Sequence, residues 1–208
     1  MVKNEYNPTF LQSNDKTRDK ILDVAAILFS ERGYAGTAID QVIKTCGIGK
    51  DTFYRRFASK LDLFEAMAVR EREIVELRFQ EVIKHSSGTT FEQLESSFRW
   101  LLEINLEPQL IAYKRIAFTE ASVFGKSAQD APSAITDYLV ELMEKLIAQG
   151  NIQENDPNDL VMYIINSLIL SPMMMAMLGS QQPLSSDWQK LYFDRTWERI
   201  FHGLKYIK

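Results

Sequence analysis

The 208-residue chain has the composition of an ordinary soluble globular protein, with 46% hydrophobic and 25% charged residues. This length fits one large domain, or a small domain followed by a medium one. The formal net charge of −4 gives no overall indication of nucleic-acid binding, but the charge is uneven. Residues 1–72 carry twelve Lys or Arg against ten Asp or Glu, whereas the remainder carries twelve against eighteen.

Cysteine content and hydropathy predict a soluble, cytoplasmic protein with no membrane contact. Cys46 is the only cysteine, which excludes an internal disulfide and fits a reducing compartment. Residues 1–14 lack the apolar segment of a signal peptide, and we expect them to form a flexible arm. The most apolar stretch, residues 168–178, contains Ser171 and Pro172 and is too short for a bilayer, which needs about 20 residues.

The residues that enzymes use for chemistry are sparse. His85 and His202 are the only histidines, and each lies near the end of a predicted helix in polar surroundings. No glycine-rich phosphate loop, nucleophile elbow or cluster with metal-ligand spacing is present. We therefore expect neither catalysis nor a metal or other cofactor.

Hydrophobic spacing in the N-terminal part predicts a three-helix unit. Apolar residues recur at helical spacing through residues 16–32, and Gly33 follows as a stop signal. Thr37, with Asp40 three residues later, is the expected N-cap of a short helix over 38–45. Residues 46–48 then form a turn in which Gly47 can adopt positive φ, and a second short helix covers 49–56. A longer helix begins at Ser59, which has Asp62 in capping position.

Two short helices joined by a glycine-containing turn and preceded by a longer one have the layout of a helix-turn-helix. Apolar side chains would support the second helix from behind; they are Ile39, Val42, Ile48, Phe53 and Phe57. A polar set would then be available to DNA, comprising Lys50, Asp51, Thr52, Tyr54, Arg55 and Arg56. Residues 44–60 hold five Lys or Arg against the single acidic residue Asp51, which fits either a phosphate-binding patch or a solvated helix face.

The order of these residues resembles the DNA-binding domain of the TetR family. The resemblance covers about fifty residues without gaps and has two parts, Thr17-Arg18-x-x-Ile21-Leu22-x-x-Ala25-x-x-Leu28-Phe29-x-x-x-Gly33-Tyr34-x-x-Thr37 and Gly47-Ile48-Gly49-Lys50-Asp51-Thr52-Phe53-Tyr54-x-x-Phe57-x-x-Lys60-x-x-Leu63. Three departures from the usual family pattern are present, of which one is that Ile43 and Cys46 replace small residues in the helix packing. Gly49 stands where Ser is usual, and Asp51 brings a negative charge close to DNA.

The resemblance implies a role for each matched position. Thr37 would contact a phosphate through its hydroxyl and backbone amide. Lys50, Asp51 and Thr52 would approach base edges from the front of the recognition helix, which begins at Gly49. Phosphates would be contacted by Tyr54 and, at the start of the next helix, by Lys60, whereas Arg55 would reach either a phosphate or a base.

The pattern predicts an all-α chain with a larger helical domain after the DNA-binding domain. We expect the DNA-binding domain over residues 15–69 and a regulatory and dimerisation domain over 70–208. The additional helices are predicted at 90–106, 109–123, 133–149, 157–178 and 187–206, separated by Gly- and Pro-containing breaks.

In the family, the last two long helices of each protomer pack against those of a second copy. The corresponding segments here contain more apolar residues than one amphipathic stripe requires, which favours an obligate homodimer over a thicker monomer core. The expected interface residues are Val161, Ile165, Leu168, Trp197, Ile200, Phe201 and Leu204.

A ligand pocket is expected between the central helices of the second domain. The candidate residues are Trp100, Tyr113, Phe118, Met143, Met162, Asn166 and Met174. Methionine and aromatic side chains at helical spacing also fit an ordinary core. Asn166 in an apolar helix would be a buried amide that needs a partner, in the pocket or at the dimer interface.

The sequence therefore predicts a sequence-specific DNA-binding transcriptional regulator. Its partners would be a double-stranded, palindromic operator, a second copy of the chain and a small apolar or amphipathic ligand that releases the repressor. The alternative is an architectural or partner-recruiting DNA-binding protein without a small-molecule inducer. A ligand-controlled protein should have a closed, mostly apolar pocket. An interaction protein should have a filled core and an exposed apolar patch.

Overall fold

The computed structural model describes residues 15–119, 133–152 and 156–204. Side chains are described up to residue 118 in the first of these ranges and up to residue 202 in the last. All regular secondary structure in these ranges is helical, so the all-α prediction is confirmed. The chain divides into two compact units. The first comprises Met1–Leu77 with Ile116–Ala131, and the second comprises Arg78–Arg115 with Pro132–Lys208. The expected arm over residues 1–14 lies outside the described residues.

The first unit begins with a helix whose start is determined by Asp15. The Asp15 carboxylate accepts hydrogen bonds from the amides of Thr17 and Arg18, both at 3.0 Å, and so satisfies two of the free N–H groups at the helix start. The helices of this unit are α1 (Lys16–Arg32), α2 (Ile39–Cys46), α3 (Lys50–Tyr54) and α4 (Lys60–His85), of which α4 continues into the second unit.

The core of the first unit is rich in aromatic side chains. Its fully buried members include Ile21, Leu22, Phe29, Phe53, Phe57 and Phe64. Phe29 packs edge-on to Phe64 with ring centroids 6.0 Å apart. Buried Arg70 on α4 donates to the Asp23 carboxylate of α1 at 2.8 Å, which adds a polar connection between these two helices.

The start of α2 differs from the sequence prediction. The N-cap is Ala38, and the Gln41 side chain accepts a hydrogen bond from the Ala38 amide at 3.0 Å. Thr37 is 1% exposed, and its hydroxyl donates to the carbonyls of Leu28 and Gly33 at 3.1 and 2.9 Å. The prediction of Thr37 as N-cap was wrong because this hydroxyl is used to fix the α1–α2 turn.

The second unit contains the remaining described helices, except that the last four residues of the helix Pro108–Thr119 belong to the first unit. After the end of α4 these are α5 (Thr90–Asn105), α6 (Pro108–Thr119), α7 (Ala134–Ala148), α8 (Pro157–Ile165), a π-helical segment (Asn166–Leu170), α9 (Ser171–Met177), a 3₁₀ turn (Gln182–Leu184) and α10 (Ser186–Leu204). The predicted helices were therefore correct in existence and order. The predicted ends of α6 and α10, at 123 and 206, lie outside the described residues.

The run Pro157–Met177 is continuous and longer than the apolar stretch identified in the sequence. It has 21 residues and a mean hydropathy of 1.8, so by length and composition alone it is long and apolar enough to cross a membrane. The sequence argument that this region is too short was wrong, because the helix begins eleven residues before Leu168. Val161, Ile164 and Leu168 in this run are completely buried. A core helix of a soluble protein can have the same length and hydropathy.

Candidate nucleic-acid interface

The turn between α2 and α3 is fixed by backbone hydrogen bonds. Gly47 has φ 66° and ψ 36°, a left-handed conformation that favours glycine. The Gly47 amide donates to the Lys44 carbonyl at 3.1 Å, and the Ile48 amide donates to the Ile43 carbonyl at 3.3 Å. These two bonds form a Schellman motif, which ends α2 and sets the direction in which α3 leaves.

Helix α3 has one buried side and one exposed side. Phe53 has no exposed surface and packs against the tilted ring of Phe57 with ring centroids 5.7 Å apart. The exposed residues are Gly49, Lys50, Asp51, Tyr54 and Arg55, and Thr52 is half-buried. The supporting residues Val42, Phe53 and Phe57 are buried as predicted, whereas Ile39 and Ile48 are only half-buried. The polar residues expected at DNA therefore share one accessible surface.

Lys50 at the start of α3 forms an ion pair with α2. Its ammonium lies 2.9 Å from the Asp40 carboxylate, and both side chains are mostly exposed. The hydrogen bond that Lys50 donates to Asp40 raises the pKa of Lys50. An exposed pair of this kind is worth little to stability and can exchange its partner for a base or phosphate.

Arg56 differs from its neighbour Arg55 because it faces the protein. Its Nε and Nη2 donate to the Asp15 carboxylate at 2.7 and 3.1 Å, and its Nη1 donates to the Thr52 carbonyl at 2.9 Å. The side chain is 17% exposed. The grouping of Arg56 with the residues available to DNA was therefore wrong, because this guanidinium connects the start of α1 to α3.

The Arg56–Asp15 pair also changes the properties of the carboxylate. The hydrogen bond from Arg56, together with the amide of Arg18, lowers the pKa of Asp15. The sequence contained no signal for this pair, since the two residues are 41 positions apart.

The two remaining matched positions have internal contacts. The Lys60 ammonium lies 4.2 Å from the centroid of the Tyr34 ring, a cation–π contact that leaves the lysine half-buried near the start of α4. The Thr37 amide donates to the Tyr34 carbonyl at 3.2 Å. Since the Thr37 hydroxyl is also occupied, both groups that the resemblance assigns to phosphate have partners within the protein.

The residues expected to form a ligand pocket differ widely in exposure. Met143 is completely buried, Trp100, Tyr113 and Met174 are half-buried, and Phe118, Met162 and Asn166 are exposed. Asn166 is therefore not the buried amide that its apolar surroundings in the sequence predicted. Trp100 packs against Phe79 with ring centroids 5.2 Å apart and borders an open groove of about 360 Å³. This groove has an acidic lining of Glu92, Glu95 and Glu103, so it is not the closed apolar pocket that we expected.

Most residues expected at the dimer interface are instead buried within a single chain. Val161 and Leu168 have no exposed surface, and the nearly buried group comprises Trp197, Ile200 and Phe201. Trp197 stacks on Phe193 and lies 4.4 Å from the Phe201 ring centroid. Their assignment to an interface was wrong because they form the protomer's own core. Ile165 is half-buried, and the side chain of Leu204 lies outside the described residues.

A different set of apolar residues on the same helices is exposed. It comprises Met162, Tyr163, Leu170, Met175, Leu178 and Leu191. Met162, Asn166 and Leu170 follow one another at intervals of four residues, which places them along one side of the helical run. We call the exposed apolar residues Met162, Tyr163, Leu170 and Leu191 the apolar stripe.

A short exposed helix, a Schellman turn before it and a buried aromatic support behind it define a helix-turn-helix DNA-binding unit. Residues 21–67 match the family model described as "Bacterial regulatory proteins, tetR family". This match covers 47 of the 208 residues, and it shows that this segment is similar to the N-terminal domain of that family.

Curated relatives match mainly in the N-terminal part. The HTH-type transcriptional regulator UidR of Escherichia coli is 35% identical over 68 residues, which are 33% of this chain and 35% of the relative. The HTH-type transcriptional regulator SAUSA300_2515 of Staphylococcus aureus is 29% identical over 92 residues, or 44% and 49% of the two chains. The matches thus span between about a third and a half of these relatives.

Solved structures match over most of the chain at low identity. A TetR-family regulator from Mesorhizobium loti superposes with a TM-score of 0.72 at 19% identity, covering 90% of this chain and 96% of its own. A second, from Pectobacterium atrosepticum, has a TM-score of 0.64 at 24% identity and covers 93% and 97%. These similarities establish the fold of both units.

Proposed function

We propose that this protein is a sequence-specific regulator of transcription that binds a palindromic operator as a homodimer. The exposed side of α3 carries this proposal, because it presents Lys50, Asp51, Tyr54 and Arg55 from a helix with a buried aromatic support. The relatives that share this domain are named as transcriptional regulators. Such a protein acts on the chromosome, and we place it in the cytoplasm.

The exposed residues divide into two kinds of contact. Lys50, Asp51 and Thr52, in the first turn of α3, are proposed to approach base edges, where Lys suits guanine and Asp accepts from cytosine. Tyr54, Arg55 and Lys60 are proposed to contact phosphates, which position the protein without reading sequence. The space around Gly49 is open, so DNA could come close to the backbone there. A Cβ at this position would meet only the Thr52 hydroxyl, at 4.0 Å.

Substitutions at these positions test the division. Tyr54→Phe and Lys60→Ala should weaken binding to all DNA sequences by a similar factor, about tenfold or less for each lost phosphate contact. Lys50→Ala should instead change which base is preferred at one position of each half-site. Band shifts with a set of single-base operator variants measure both effects. A uniform loss from Lys50→Ala would contradict its assignment to bases.

We further propose that a small apolar or amphipathic molecule bound by the second unit releases the protein from its operator. The structure of a protein of the same fold, AibR, was determined in complex with isovaleryl coenzyme A and operator DNA, which supports a small-molecule site in this fold but does not bear on release. That structure has a TM-score of 0.64 at 19% identity and covers 89% of this chain. For the present chain, the ligand would favour a conformation in which the two recognition helices no longer match the spacing of the half-sites.

Reciprocal titration tests this control. Because coupling between two sites is mutual, operator DNA must weaken ligand binding by the same factor as the ligand weakens DNA binding. Isothermal titration of the ligand with and without operator measures this factor. Equal ligand affinity in both titrations would exclude release of the repressor by the ligand.

The exposed apolar stripe also favours a second candidate function, an architectural or partner-recruiting DNA-binding protein without an inducer. In that case the stripe would bind another protein and not a second copy of the chain. Sedimentation of the purified protein distinguishes the two, since a homodimer that covers the stripe forms without any other component.

A further inference from the structure

Among the residues that the structure describes, one lysine of the second unit has no carboxylate beside it. The Lys114 ammonium on α6 donates a hydrogen bond to the side-chain oxygen of Asn105 on α5 and lies 3.2 Å from the Met173 sulfur on α9. Both partners are uncharged. The Asn105 amide is itself oriented by donation from its Nδ2 to the Leu101 carbonyl at 2.8 Å, so its oxygen faces the lysine.

Keeping Lys114 charged costs free energy because its ammonium is largely shielded from water. Other lysines, such as Lys50, Lys84 and Lys145, form ion pairs with carboxylates at the surface. Within the described ranges, Lys114 forms no ion pair with a carboxylate. Burial lowers the pKa of Lys114 to about 8. A partly desolvated ammonium is expensive unless an anion joins it, and a Met or Leu would fill the same space more favourably.

The region around Lys114 combines this cation with adaptable apolar surface. Its neighbour Arg115 donates to the carbonyls of Ala176 and Met177 at 2.6 and 2.8 Å, and so fixes the end of α9 against α6. Helix α9 carries four methionines within seven residues, and its Met173 and Met174 are half-buried. Thioether side chains adapt to ligands of different shape.

We propose that Lys114 is the anion-binding residue of the effector site, and that it takes the carboxylate of a small amphipathic acid whose hydrocarbon part lies against the methionines of α9. This inference rests on the proposed function, in which an effector binds the second unit. One ammonium beside one neutral amide matches a single negative charge. A phosphate would call for several donors or a bidentate arginine.

Titration calorimetry of the full-length protein without DNA tests the site, with sodium octanoate and its uncharged analogue 1-octanol as probes. Lys114→Met should weaken octanoate binding by about tenfold or more, because it removes the counter-ion. Lys145→Met is the matched control, since Lys145 lies in the same unit and pairs with Glu141 at the surface. It should bind octanoate as the unsubstituted protein does. Octanol should bind weakly and equally to all three proteins.

Proton uptake provides a readout that a merely structural lysine would not give. A bound carboxylate raises the pKa of Lys114 above its value of about 8, so the protein should take up protons when octanoate binds at about pH 8.5. Titrations in phosphate and Tris buffers, whose ionisation enthalpies differ, measure the uptake. Lys114→Met should show none. Thermal melts of both variants establish that they are folded, and Lys114→Gln replaces Lys114→Met if the latter is not.

Three results would overturn the assignment. These are equal octanoate affinity in Lys114→Met and the control, binding without proton uptake, and no binding of any straight-chain monocarboxylate from butanoate to dodecanoate. Release of DNA is a separate question. An octanoate that binds through Lys114 but leaves operator affinity unchanged would refute ligand-controlled repression and keep the anion site.

Discussion

Arg55 and Arg56 are adjacent in the sequence but have opposite surroundings. Arg55 is exposed at the end of α3, where it can reach DNA. Arg56 donates two hydrogen bonds to Asp15 and one to the Thr52 carbonyl, and so holds α3 against the start of α1. A change of either residue to Ala removes one positive charge. A comparison of the two variants therefore separates an electrostatic role from a structural one.

We expect Arg56→Ala to lower the Tm of the protein, since it removes the bidentate partner of Asp15 and leaves the Thr52 carbonyl without this donor. Arg55→Ala should leave the Tm unchanged and weaken DNA binding by up to about tenfold. Circular-dichroism melts and band shifts on the two variants measure both quantities. Equal melting of the two variants would show that the Arg56 pair does not hold the unit together.

Residue roles could be predicted only where they depend on local sequence. The buried Phe53 and Phe57 and the cap at Ser59 follow from spacing, and the Ser59 hydroxyl accepts from the Asp62 amide at 3.0 Å as expected. The Arg56–Asp15 pair and the buried Thr37 depend on contacts between elements. No pattern within a single helix encodes such contacts.

Among the helices, the run Pro157–Met177 has an irregularity with an identifiable cause. Pro172 has no amide hydrogen, and its ring crowds the preceding turn. The preceding residues Asn166–Leu170 are π-helical, a form in which amides bond carbonyls five residues earlier. In this pattern, an amide at position 172 would donate a hydrogen bond to the Ser167 carbonyl, but Pro172 has no amide hydrogen to donate. The Tyr192 hydroxyl of α10 donates to this carbonyl at 2.6 Å instead.

A double-mutant cycle tests whether the Tyr192 hydroxyl replaces the amide hydrogen that Pro172 lacks. Tyr192→Phe should lower the free energy of unfolding by about 1 kcal/mol, the usual worth of a neutral hydrogen bond. In a Pro172→Ala background the new amide can bond within the helix, so the same change should cost clearly less. Chemical denaturation of the four proteins measures the coupling. An equal cost of Tyr192→Phe in both backgrounds would contradict the role of Pro172.

The helices themselves were predictable because their apolar residues recur at the helical period and their ends carry Gly or Pro. Helix α7, for example, was predicted over 133–149 and is Ala134–Ala148. The π-helical segment was not predictable, since Pro172 fits equally well a kink, a break or a bulge. Which of these forms depends on whether another element supplies a hydrogen-bond donor.

At the scale of the whole molecule, the exposed apolar stripe calls for a partner, and a second copy of the chain would cover it. Adding a charge there should break the proposed homodimer. Leu170→Asp should raise the dimer dissociation constant by about tenfold or more, because a carboxylate would be buried without a counter-ion. Ile27→Asp, an exposed apolar position in the first unit, is the control and should leave the dimer intact. Sedimentation velocity measures both, and dimers of equal affinity would contradict an interface at Leu170.

The residues predicted for the dimer interface lie on the same helices as the stripe but are not the exposed ones. Val161, Leu168 and Trp197 are the more hydrophobic positions. Composition alone suggested that the core of one protomer does not need all of them. The structure buries them within one chain and exposes Met162, Tyr163 and Leu170. An apolar helix with residues on all sides does not reveal which side faces its own core, because that depends on the arrangement of the other helices.

Selection from a pool of random-sequence duplex DNA at a stated salt concentration tests the central claim most directly. We expect enrichment of a palindrome whose half-sites are about one helical turn or a multiple of it apart, as two recognition helices of a dimer require. Lys50→Ala should enrich an altered half-site, and Leu170→Asp should enrich none. A folded dimer that enriches no sequence would show that the protein is not a sequence-specific DNA-binding regulator.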